Sequence, residues 1–290
     1  MKNFTVFDPT TVAEAVSLLA EHKDEIKVLA GGQSLLVLVK QGLVAPAYLL
    51  NIKKVSELKG INPQPDGGLR LGALTSHSEV LNSPVIREKY AVLPEMAIKV
   101  GSVQIRNAGT LGGNLSHSEP AADPPPVFLA LDARVKAVGP NGEREIPLSE
   151  FFVDFYETVL APDELLTEVI VPPMPQGAKG AYFKFARKKA VAFAMVSVAA
   201  IVSLSDGKIN DVRLGLGGVG QTPLRAIEAE EVLKGKPLDE KVLAEAAGAV
   251  MSVVDPVSDV HASAEYKKEM AGVFTKRAVR EAAARARGDR

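Results

Sequence analysis

The sequence predicts an α+β protein of three regions, and three observations predict it. Over residues 1–54 the hydrophobic spacing runs strand, helix, strand, turn, helix, strand. Over 55–175, short strands separated by Gly-rich or Pro-rich turns surround one long helical stretch. Over 176–290, beyond the linker PPMPQG, three strands come first and three helices follow.

The elements follow in order. FTVF is a short strand, and Asp8-Pro9-Thr10-Thr11 makes a turn and a helix start. VAEAVSLLAEH then places Val12, Ala15, Val16 and Leu19 at helical spacing. KVLA is a strand ending at Gly31-Gly32, a helix enters from Ser34, and YLLNI closes the unit. In the second region GLRLGALT, ARVKAVG, REIPL and LLTEVIVP are strands. SEVLNSPVIREKYAVLPEMAIKV is helical, with breaks expected at Pro84 and Pro94. In the third, Asp206-Gly207 between two β-rich runs signals a hairpin. Helices are expected over about 225–235, 239–254 and 262–287.

Composition narrows the function. Thirty-four basic residues stand against 35 acidic ones, which gives no footprint for nucleic acid. The chain has no cysteine, so it holds no disulfide, thiolate zinc site, cysteine nucleophile or cysteine-ligated iron–sulfur cluster. A redox role then needs a bound organic cofactor. MKNFTVFDPTT carries no apolar signal segment, and stretches such as VAFAMVSVAAIVSL are too short and punctuated to span a bilayer, so a cytoplasmic protein is expected.

Two glycine turns carry the chemistry. In LAGGQSLL, Gly31 and Gly32 allow close backbone approach, and Ser34 opens a helix with free N–H groups. That suits a pyrophosphate; a plain strand-to-helix turn suits it equally, because neither the Rossmann nor the Walker spacing is present. In RNAGTLGGNLSHSEPAADPPP, Thr110 and Asn114 bracket Gly112 and Gly113. Asp123 precedes Pro124, an N-cap arrangement; its carboxylate also suits a ribose hydroxyl.

Together AGGQSLL, VGSVQIRNAGTLGGNLSHSEPAADPPP, LLTEVIVP and FKFARKKAVAFAMVSVA resemble the FAD-binding subunit of the molybdenum hydroxylases. That family includes the medium subunit of aerobic carbon monoxide dehydrogenase and the FAD-binding subunit of xanthine dehydrogenase. The resemblance runs through nearly the whole chain. It implies a two-part FAD-binding domain of the PCMH type in regions one and two. A C-terminal flavoprotein domain follows, with a three-stranded antiparallel sheet and a three-helix bundle. It implies non-covalent FAD, whose pyrophosphate meets backbone N–H groups of Ala30, Gly31, Gly32, Gln33, Ser34, Leu35 and Leu36. Thr110, Gly112, Gly113 and Asn114 are implied to hold the same group through their own backbone N–H groups, approaching from the second region. Asp123, Leu166 and Lys184 fall at further cofactor contacts, Val100 at a weaker packing contact, and Phe193 against the isoalloxazine. Two departures stand out: Gln33 where many members have histidine, and Phe193 where carbon monoxide dehydrogenases have tyrosine. The amide still donates and accepts hydrogen bonds; the phenyl ring keeps its stacking face and loses the hydroxyl.

The resemblance also implies partners. Iron–sulfur clusters belong to a small subunit with two [2Fe-2S] centres, and molybdopterin to a large subunit, as a dimer of heterotrimers. Electrons then pass through FAD to NAD, a quinone or another acceptor, and this oxidoreductase subunit itself carries no catalytic side chain. Two other readings compete. A stand-alone FAD-dependent oxidoreductase needs a catalytic base that no motif here supplies. A non-catalytic interaction protein has no use for two intact glycine turns and Asp123. Among the remaining candidates, His117 is expected on an exposed loop, and GLGGVG from Gly215 to Gly220 is expected to serve as a strand end or domain contact.

Overall fold

A computed structural model describes residues 3–188 and 192–288. Strands Thr5–Phe7, Tyr48–Asn51 and Ile26–Leu29 form a parallel sheet with Tyr48–Asn51 in the middle. Parallel neighbours need crossover connections, and helices Val12–His22 and Leu35–Gln41 lie in the two crossovers. Ala15, Val16 and Leu19 of the first helix enter the core with Ile26, Leu50 and Ile52. Thr11 caps that helix by accepting from Glu14 N at 3.1 Å, while Glu14 accepts from Thr10 N at 2.8 Å. Thr11→Ala is expected to cost about 1 kcal/mol, seen as a lower urea midpoint at unchanged slope.

The second region is built on a five-stranded antiparallel sheet. Its order is Ile61–Pro63, Leu69–Gly72, Leu165–Val171, Arg134–Gly139, Gly142–Pro147. The last strand in sequence is thus the central one. A bulge between Leu166 and Glu168 interrupts its register, and consecutive side chains serve different cores. Leu165 packs with the first region and Leu166 with the second.

The helical stretch divides differently from the expectation. Pro84 opens helix Pro84–Lys89 behind the Ser83 cap. Pro94 breaks nothing: it is the third residue of helix Val92–Ala97. The first turn of a helix has no intrahelical use for its N–H groups, so proline is tolerated there.

In the third region strands Lys179–Phe185, Val196–Ser205 and Lys208–Gly217 are antiparallel, and a two-residue strand, Leu224–Arg225, extends the edge. Asp206 and Gly207 have φ of 51° and 75°, the left-handed pair of a type I′ hairpin turn. Helices Ile227–Leu233, Glu240–Val253 and Ala264–Arg287 follow. They form a layer on the sheet, with Ala264–Arg287 along the strands Lys179–Phe185 and Val196–Ser205.

The apolar run from Val196 to Val202 is explained by covering on both faces. Val196, Val198, Ala200 and Val202 face the helical layer, while Ala199 and Ile201 join the second region's core. Helix Pro124–Ala130 packs on that second face. A Cβ on Gly215 would lie 1.9 Å from Pro126 O, so GLGGVG is a contact between regions. Among the described residues no helix is long and apolar enough to cross a membrane.

Candidate cofactor site

The first glycine turn leaves the sheet at Leu29 and enters a helix at Leu35. Gly32 has φ of 72°, where a side chain is strained. Gly31 is needed for a different reason. A Cβ there would lie 2.2 Å from Ala108 O and 2.8 Å from Gly109 Cα. The two turns are therefore in backbone contact across regions one and two. On the same seam a Cβ on Gly113 would sit 3.6 Å from Ala30 Cβ.

The N–H groups of Gly31, Gly32, Gln33, Ser34 and Leu35 donate to no oxygen among the described residues; helical bonding begins with Leu36 N to Gly32 O at 3.3 Å. Ser34 makes no side-chain cap. The Gln33 amide folds back and donates to Gly31 O at 3.0 Å, which uses one of its own donors and spares the backbone N–H groups.

The second turn is organised the other way. Leu111 N donates to Thr75 O and Gly112 N to Ala73 O, both at 2.9 Å. Gly113 N donates to Thr110 Oγ1 at 3.2 Å, and Asn114 N to Thr110 O at 3.0 Å. Four of its N–H groups are thus committed to scaffold and cap. What it leaves open is Asn114 Oδ1, which is buried without a partner among the described residues. Below the turn the His77 ring lies against Gly109. Burial, with a smaller push from Arg106, lowers His77 to about 4, so it adds no charge at neutral pH. His117 is not on an exposed loop: it ends helix Leu111–His117, half-buried, its ring 5.1 Å from that of Tyr156.

Asp123 occupies the N-cap position of helix Pro124–Ala130 but makes no capping bond. Its carboxylate points across the region boundary. Oδ1 accepts from the Tyr182 hydroxyl at 2.6 Å and Oδ2 from Lys184 Nζ at 2.7 Å. Lys184 also donates to Lys99 O at 3.0 Å. The next residue, Val100, is buried, and its carbonyl accepts from Arg106 at 3.0 Å. Arg106 lies two residues before the Ala108 carbonyl that touches Gly31. Val100, Asp123 and Lys184 are thus joined by hydrogen bonds and chain adjacency to the glycine seam. Only 6% of Asp123 is exposed, and burial holds its carboxyl above the usual range against the opposing pull of Lys184, Tyr182 and Lys99.

Leu166 is buried beneath the second turn, in one core with Leu111 and Leu115. Phe193 is 67% exposed and lines a cavity of about 580 Å³ with Arg187, Lys188, Ala192, Met195 and His261; no other predicted site residue lines it. Sequence reasoning missed Gly109, Lys99, Arg106 and Tyr182. Tyr182 had one available signal: it shares a strand face with Lys184, two residues on.

These residues fit a ligand with a diphosphate and hydroxyl groups. Consecutive unpartnered N–H groups suit phosphate oxygens, Asn114 Oδ1 awaits a donor, and a carboxylate with two lone-pair sites in use still accepts two more hydrogen bonds. Residues 2–174 match the family described as the FAD binding domain in molybdopterin dehydrogenase. Residues 181–282 match the CO dehydrogenase flavoprotein C-terminal domain. The chain is 38% identical to the alpha subunit of the 6-hydroxypseudooxynicotine dehydrogenase complex of Paenarthrobacter nicotinovorans, over 96% of this chain and 93% of that one. It is 34% identical to the carbon monoxide dehydrogenase medium chain of Hydrogenophaga pseudoflava, over 97% and 98%. The solved structure of carbon monoxide dehydrogenase from that organism, in a form lacking the Mo-pyranopterin moiety of the molybdenum cofactor, superposes with a TM-score of 0.96 at 35% identity, covering 98% of both chains. With both family models matched in order along a chain whose glycine seam suits a dinucleotide, the protein belongs to the FAD-binding medium subunits of the molybdenum hydroxylases and is an oxidoreductase subunit.

Proposed function

We propose that this chain is the electron-transfer subunit of a heteromeric molybdenum-containing hydroxylase or dehydrogenase. In this reading it takes electrons from [2Fe-2S] clusters of a small partner subunit and passes them to NAD, a quinone or another acceptor. Molybdopterin sits on a large subunit, and the whole is a dimer of heterotrimers. Residues 1–54 and 55–175 are the two halves of the FAD-binding domain, and 176–290 the flavoprotein domain behind them. FAD, when bound, supplies the redox chemistry, since a flavin exchanges electrons singly or in pairs.

The chain's own residues bind and orient. The N–H groups from Gly31 to Leu35 hold the diphosphate, and Thr110 to Asn114 wall it from the second region. Asp123 accepts cofactor hydroxyls, Lys184 balances its charge, and Phe193 offers an aromatic face. The observation that carries the reading is the unpartnered run of N–H groups from Gly31 to Leu35, pressed against a second turn. Absence of cysteine supports the placement of the clusters elsewhere.

The test is release and co-purification. The native protein, drawn from its own cells, is expected to carry iron and molybdenum on companion chains and to release free FAD on denaturation. A purified chain that stays colourless after refolding with excess FAD, with no thermal shift, overturns the cofactor assignment. An FAD-loaded chain that turns over a small substrate alone overturns the subunit assignment.

A further inference from the structure

We propose that Tyr182 is a positioning residue for the cofactor: its buried hydroxyl fixes the Asp123 carboxylate in the orientation that receives FAD hydroxyl groups. This rests on the reading of Asp123 as a cofactor contact. Tyr182 is fully buried in the second region's core, packed mainly against apolar side chains with the buried Ser197 near its hydroxyl. A hydroxyl placed there needs an acceptor, and it has Asp123 Oδ1 at 2.6 Å.

Of the two donors to this carboxylate, Tyr182 is the rigid one. Rotation about the terminal bond of an aspartate is soft, and Lys184 sits on a four-carbon stem able to follow a turning carboxylate. The tyrosine's backbone is fixed by strand pairing to Ala199, and its ring is fully buried. It is held from the other side by Lys99, whose ammonium lies 4.8 Å from the ring centre and donates to Tyr182 O. Lys99 is in turn 3.7 Å from Glu95, which Arg285 binds at 2.7 Å while also donating to Gly180 O. Asp123 therefore faces Lys184, Tyr182 and Lys99, with Glu95 and Arg285 behind them.

The test is a double-mutant cycle on FAD affinity in the full-length chain, using Tyr182→Phe, Asp123→Asn and both together. Tyr182→Phe is expected to weaken FAD binding about tenfold, the scale of a hydrogen bond to a charged group. The double variant should bind no more weakly than Asp123→Asn alone, because Tyr182 acts through Asp123. Loss of a donor to the ionised carboxylate also raises its pKa further. The acidic limb of the affinity profile should therefore move to higher pH in Tyr182→Phe. A role in packing alone moves neither the limb nor the coupling. Wild-type affinity with an unmoved limb, or losses that add in the double variant, overturn the proposal. If Tyr182→Phe does not fold, fluorotyrosine placed at 182 keeps the volume and strengthens the donor. The limb should then move to lower pH, and an unmoved limb overturns the proposal. A wild-type chain that binds no FAD sinks the cofactor reading instead, a distinct result.

Discussion

Gly31→Val is expected to abolish FAD binding and to destabilise the chain by about 1–3 kcal/mol, the usual range for overpacking. The first atom beyond Cα decides this. A Cβ at position 31 would lie 2.2 Å from Ala108 O, 2.8 Å from Gly109 Cα and 2.9 Å from Ala108 C. All three are main-chain atoms, so no rotamer change relieves the clash. The turns must separate, and regions one and two meet along that seam. Position 32 behaves differently: its φ of 72° strains any side chain, while its nearest neighbour is the movable Leu36 Cδ1 at 2.9 Å. Gly32→Ala should therefore lower stability modestly and FAD affinity less than Gly31→Val does. Flavin fluorescence titration and a denaturant midpoint measure both quantities. Wild-type FAD affinity in Gly31→Val would mean that the two turns do not share a ligand.

That contact marks the limit of what the residues disclose alone. Periodicity reports the local path of the chain. The helix from Val12 and the order of strands before helices in the third region were readable from it, and the Asp206-Gly207 turn from its residue types. Long-range pairing is not periodic. Nothing in LLTEVIVP says that it enters between Leu69–Gly72 and Arg134–Gly139 instead of pairing at an edge. Gly31 and Gly109 look like separate flexible points until the fold presses them together. Asp123 and Tyr182 stand 59 residues apart, so the capping pattern before Pro124 was visible while the true partner was not. Pro94 misled because its effect depends on position in a helix: harmless in the first turn, disruptive later. The second turn shows the same limit. TLGGN suggests several free N–H donors, but the fold uses those of Leu111 and Gly112 to fasten the turn to Thr75 and Ala73. The site is consequently asymmetric: one turn keeps its donors open, and the other is a braced wall with a single orphaned acceptor.

Lys184→Met should lower stability by about 3–5 kcal/mol, as for other buried pairs deprived of one partner. Asp123 and Lys184 keep 7% and 10% of their side chains exposed, so water does little to screen the stranded carboxylate. The defect should depend on pH with a definite sign. Burial already raises the Asp123 carboxyl, and without Lys184 it rises further. Between the unfolded and folded values the native state binds more protons than the unfolded chain, so stability falls as pH rises through that window. The variant should therefore approach wild type in acid and fall away from it toward neutrality. Adding Asp123→Leu removes the stranded charge and should recover much of the loss, yet it leaves the Tyr182 hydroxyl buried without its acceptor, worth about 1–3 kcal/mol. Adding Tyr182→Phe as well should recover that remainder. If stability returns across this series while FAD binding does not, the triad is kept for the ligand, because an apolar core would hold the regions together equally well. If Lys184→Met is as stable as wild type at neutral pH, the two groups do not form a buried ion pair in solution.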